Sequence, residues 1–117
     1  MDLEHALNAH SEWKEKFLVG ISTNEKFDVG FISAYNSCLL GEWLYGEAVE
    51  KYLNLDSFTR LVQRHAAFHE EAGKVALLIN QKEFDSARAQ MDSHSPYTLA
   101  SHAVFAAITV FKSEAKL

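Results

Sequence analysis

A chain of 117 residues is long enough for one compact domain, spanning 1–117, and too short for a second of ordinary size. Its 48% hydrophobic and 23% charged residues exclude the apolar-poor composition of disordered chains. Eleven basic against sixteen acidic residues, a formal charge of −5 with no basic cluster, argue against nucleic acid or an anionic membrane as partner.

One proline and five glycines leave few breaks in the backbone, which favours long helices over many short strands. The start, Met-Asp-Leu-Glu-His, has neither the basic residues nor the apolar run of a secretory signal, and no stretch has the length of a membrane span. A cytoplasmic protein with no membrane insertion is predicted. Cys38 is the single cysteine, so an internal disulfide is impossible and a reduced thiol or a metal thiolate is the expected state.

In chain order, Leu3, Ala6, Leu7, Trp13 and Phe17 recur at helical spacing, with His10 on the same stripe and His5 off it. This first helix is predicted to stop near Gly20, before the turn-forming Ser22, Thr23 and Asn24. A second helix is predicted from Val29 to about Tyr45, with Ile32, Tyr35, Leu39 and Trp43 inward, Cys38 on their flank and Gly46 as the stop. A connecting segment around Tyr52 to Asp56 leads into the clearest helix, whose stripe runs Phe58, Leu61, Val62, His65, Phe68, His69, Ala72, Val75, Ile79. Phe84 to Met91 predicts one brief helix. Ser95 as cap and Pro96 at the first helical position open the last one, with Tyr97, Ala100, Val104, Ile108 and Phe111 inward. The sum is an all-α fold, an antiparallel four-helix bundle with one short additional helix.

His65 and His69, at i and i+4, project from one helical face, close enough for both rings to reach one ion. That pair alone is weak, because buried histidines commonly find carbonyls or water, and a free cysteine is commonly a small buried hydrophobe. The weight comes from the set: His10, Cys38, His65 and His69 all turn inward from three helices, and polar groups buried together need a common partner. Zinc, which takes four nitrogen or sulfur ligands in a tetrahedron, is the expected cofactor, one ion per chain.

Three strings then carry a specific resemblance: His10-Ser11-Glu12-Trp13, Cys38-Leu39-Leu40-Gly41-Glu42-Trp43-Leu44 and His65-Ala66-Ala67-Phe68-His69. Their order and spacing resemble the chemoreceptor zinc-binding family, CZB, marked by Cys-x-x-Gly-x-Trp between an early histidine and a later His-x-x-x-His. The resemblance covers nearly the whole chain, assigns metal ligation to His10, Cys38, His65 and His69, and implies a bacterial signalling or chemotaxis role. In relatives, zinc occupancy or oxidation of the bound cysteine changes the output of a larger protein. Here neither a cyclase domain nor a receptor coiled coil is present, so the chain resembles a free-standing unit with a separate signalling partner, and a homodimer is a further expectation.

Four protein ligands leave no open position for a reactive water, so no enzymatic activity is expected. Glu42 and Glu70 are candidates to support the site from outside, against the more ordinary reading of exposed helix glutamates. Trp13 and Trp43 read as core or site-lining residues. The competing readings are a di-iron or haemerythrin-like bundle, which lacks Glu-x-x-His here, and a histidine phosphotransfer bundle, for which His5 and His102 are the off-stripe candidates.

Overall fold

The asparagine, serine and aspartate residues that punctuate the sequence become helix boundaries in the structure, a computed structural model that describes residues 2–36 and 38–117. Met1 and Ser37 lie outside the described residues, and Ser37 is one position of the expected second helix. Helix α1 spans Leu3–Thr23 and opens on Asp2, whose side chain accepts the His5 backbone N–H at 3.1 Å. It runs past the expected stop at Gly20 and ends where Asn24 adopts a left-handed conformation, φ 56°. Gly20 is not a terminator but a packing glycine, since a Cβ there would sit 2.6 Å from the Phe27 ring.

The second expected helix is broken in two. Helix α2 covers only Val29–Ser33, capped by Asp28, and α3 resumes at Leu39–Tyr45. Between them Ala34 is extended, and Tyr35 and Leu39, expected inward, are exposed. Gly46 does end α3, but a further helix, α4 at Glu47–Tyr52, follows at once. The long helix α5, Asp56–Asn80, and the short α6, Phe84–Ala89, fall where the pattern places them. Helix α7, Pro96–Ala115, begins with the Ser95 hydroxyl accepting the Thr98 N–H at 3.1 Å. The fold is all-α, with no strand among the described residues. The described residues form three long helices and four short ones rather than four long and one short.

Helix α5 is the central rod, and α7, α2 and α1 pack against it. One apolar cluster joins them, with Phe17, Leu44, Leu61, Phe68, Ile108 and Phe111 fully buried. Trp13 and Trp43 are partly buried at its edge, as expected, Trp13 beside Phe17 and Trp43 between Tyr52 and Phe111. The loop into α2 is fastened to the end of α5 by Asn80, which accepts the Phe27 N–H at 2.7 Å and donates to the Phe27 carbonyl at 2.8 Å. Among the described residues no helix is long and apolar enough to cross a membrane.

Candidate metal centre

Each of the three inward histidines comes from a helical stripe, and burial on that stripe is what brings them together. His10 lies on α1, and His65 and His69 lie one turn apart on α5; all three are buried. Their rings form an edge-to-face cluster, with centroids 5.1 Å apart for His10 and His65 and 4.5 Å apart for His65 and His69. Cys38 arrives from the segment between α2 and α3, half-buried, as the residue that caps α3.

The four donor atoms converge. Cys38 Sγ lies 3.2 Å from His65 Nε2, 3.5 Å from His69 Nε2 and 3.9 Å from His10 Nε2. His65 Nε2 is in turn 3.2 Å from His10 Nε2 and 3.0 Å from His69 Nε2, and all four atoms fall within 4.8 Å of one another. Tetrahedral bonds of about 2.05 Å to nitrogen and about 2.3 Å to sulfur put donor atoms roughly 3.4 Å (N to N) and roughly 3.6 Å (N to S) apart. Five of the six separations, from 3.0 to 3.9 Å, are close to those edges.

Proton counting points the same way. The outer ring nitrogen of His10 donates to the Ala6 carbonyl at 2.7 Å, and that of His69 donates to the Ile32 carbonyl at 2.8 Å. A carbonyl only accepts, so in both rings the proton is on Nδ1 and Nε2 presents a lone pair to the centre. His65 Nδ1 is buried without a hydrogen-bond partner. The cluster therefore contains at least two inward lone pairs, with at most the Cys38 thiol proton and one from His65 to share among five short contacts. Adding protons is opposed: burial lowers the pKa of all three histidines, taking His65 down to about 2. Burial also pushes the Cys38 thiol up. Two protons can serve only two of the five contacts, whereas one cation can meet all four donors, and three imidazole nitrogens with one sulfur fit zinc by donor chemistry.

The Ile32 carbonyl is free for His69 because the helix breaks. In a continuous helix it would receive the N–H of Asn36, and the end of a short helix instead leaves such carbonyls without a partner. These two carbonyls take the supporting place that the sequence reading offered to Glu42 and Glu70. Both glutamates are exposed, and Glu70 stands 3.9 Å from Lys74 on the outer face of α5. Gly41 is the other residue that matters here. Its N–H donates to Cys38 Sγ at 3.3 Å, and its missing side chain lets α3 lie against the backbone of Tyr35 and Asn36. The Gly in the Cys-x-x-Gly string was the available signal. His5, His94 and His102 are exposed and stand apart from the cluster.

In the metal-free chain these burials make stability depend on pH. The unfolded chain takes up protons on the three histidines as pH falls below their ordinary value of 6.5, and the folded chain resists doing so. Stability is thus fully present above that value and lost on acidification, with a slope approaching about 4 kcal/mol per pH unit if all three contribute. Urea unfolding of metal-stripped protein between neutral and mildly acidic pH should show the midpoint falling with acid, and a flat profile would contradict the burial.

A family model described as the chemoreceptor zinc-binding domain, CZB, matches residues 10–76, more than half of the chain. The matched stretch opens on His10 and takes in Cys38, His65 and His69. Neither the curated proteins nor the solved structures compared with the chain gave a match. The converging donors and the matched stretch coincide, and the chain belongs to the chemoreceptor zinc-binding domain family, a regulatory zinc-binding module rather than a catalyst.

Proposed function

We propose that the chain binds one zinc ion through His10 Nε2, Cys38 Sγ, His65 Nε2 and His69 Nε2, and that occupancy of this site or oxidation of Cys38 is the signal it passes on. The observation that carries the reading is the convergence of four buried or half-buried donor atoms within 4.8 Å of one another, in five short contacts that at most two protons could serve. When bound, zinc supplies two positive charges, which one thiolate and three neutral rings reduce to a local charge of +1. His10 and His69 hold their rings in place through the Ala6 and Ile32 carbonyls. Loss of the ion leaves the same rings facing one another with too few protons, so α1, α5 and the segment around α2 and α3 lose a common tie.

Oxidation acts on the sulfur. A thiolate held at a metal attacks the chlorine or oxygen of hypochlorous acid, and the net reaction turns one thiolate and one HOCl into one sulfenic acid and one chloride. Sulfur loses two electrons and chlorine gains them. The sulfenic sulfur would be a poorer ligand, and Cys38 would then hold the ion less well. Exposed Phe31 on α2, Tyr35 in the link and Leu39 at the start of α3 belong to the same stretch of chain as Ile32 and Cys38, where a signalling partner would feel the change first. The lone reduced thiol fits a cytoplasmic setting.

Metal analysis of protein purified without added zinc, before and after hypochlorous acid, tests both parts. The expected result is one zinc per chain, released by oxidant in the wild type and far less in Cys38→Ser. Much less than one zinc at the start would end the metal reading. Equal release from both proteins would end the role of Cys38 while leaving the metal in place.

A further inference from the structure

The larger surface grooves, between α2 and α5 and beside the second half of α1, are lined by none of the four donor residues. A smaller pocket, about 180 Å³, is different. It lies where the start of α1 faces the start of α3, and its wall includes Asp2, His5, Ala9 and Leu39, all exposed, together with His10 and Cys38 deeper in. Its volume is several times the roughly 30 Å³ that one water occupies in the liquid. Of the four donors, the three histidines are buried and Cys38 alone is half-buried. The three histidine nitrogens lie within 3.9 Å of the sulfur, and Cys38 lines the pocket together with His10.

Among the described residues that line the pocket, Asp2 is the carboxylate, beside His5, and none is lysine or arginine; Glu42 acts on the sulfur from α3. The chain as a whole carries −5. We propose that this pocket is the entrance through which small molecules reach Cys38 Sγ, and that the Asp2 carboxylate makes it selective, admitting uncharged oxidants and electrophiles in preference to anions. The purpose of such an entrance rests on the zinc-centre reading; its control over the sulfur does not. A single charge at about 7 Å in water disfavours an anion by about threefold, less as salt is added.

Two alkylating reagents of similar size separate the terms. Iodoacetamide is uncharged and iodoacetate is an anion. With either, the sulfur forms a bond to the CH₂ carbon, iodide leaves with the electron pair, and any thiol proton passes to buffer. Rates at Cys38 are measured by mass spectrometry on the intact protein at low salt and normalised to 2-mercaptoethanol, with zinc content determined on the same preparations. The normalised rate of iodoacetamide should exceed that of iodoacetate by about threefold. Asp2→Asn should erase most of that gap by raising iodoacetate alone, because asparagine keeps the helix cap while losing the charge. Leu39→Trp and Ala9→Phe narrow the mouth from opposite sides at exposed positions, and each should slow both reagents about tenfold. Unchanged rates in a folded narrowing variant would overturn the entrance, and an unchanged ratio in Asp2→Asn would overturn the selectivity. A wild type without zinc would instead count against the metal reading, with the rate comparison still standing.

Discussion

Replacing Gly41 by alanine is expected to destabilise the protein by about 3 kcal/mol or more and to lower its zinc content well below one per chain. A Cβ at this position overlaps the Tyr35 carbonyl oxygen and comes within 3.0 Å of Asn36 Cα. Both neighbours are backbone, so no rotamer change relieves the overlap. The start of α3 must move away from residues 35–36, and Cys38, three residues upstream and bonded to the Gly41 N–H, moves with it. Gly30→Ala is the matched control, since a Cβ on exposed Gly30 meets only the Asp28 carboxylate, at an ordinary 3.6 Å. That change should be neutral or slightly stabilising. Urea denaturation and metal analysis on both variants decide the matter. A Gly41→Ala protein with a wild-type midpoint and full zinc would show that the close approach is not needed.

Withdrawing the metal is expected to have the second large effect. An ion held at a free concentration about a thousandfold above its dissociation constant stabilises the folded state by about 4 kcal/mol. For a domain of this size that corresponds to a fall of roughly 15 °C in Tm when a chelator removes it. Re-adding zinc should restore the wild type and leave His65→Ala unchanged, because His65 Nε2 is the nitrogen in short contact with both other rings and the sulfur. A thermal transition indifferent to chelator would mean that the four donors hold nothing that matters to folding.

How much of this could be read from the sequence varied with the length of the element. Helices α5 and α7 were legible because long apolar stripes and the Ser95-Pro96 start leave little choice of frame, and the short α6 because the break at Ser93 to Pro96 sets it off. The donor set was legible as a group because three of its members lie on such stripes. The region from Val29 to Tyr52 was not. Ile32, Tyr35, Leu39 and Trp43 keep helical spacing across the break, so periodicity reports one rod where α2 and α3 are separate. What breaks it is tertiary: Cys38 must reach three rings on other helices, and a continuous rod leaves it on the flank. The supporting carbonyls of Ala6 and Ile32 carry no side-chain signature, so a reading of side chains looked to Glu42 and Glu70 instead. The short α4 was lost because its six residues are too few for a stripe to declare itself.

The sulfur of Cys38 has a second job. As the N-terminal cap of α3 it accepts a backbone N–H, the place usually filled by serine, threonine, asparagine or aspartate. A thiolate there also sits at the positive end of the helix. Whatever happens to that atom is therefore written into the first turn of α3, whose Trp43 leans on Tyr52 and Phe111. One atom thus belongs both to the donor cluster and to the helix cap, and Trp43 follows it by only five residues.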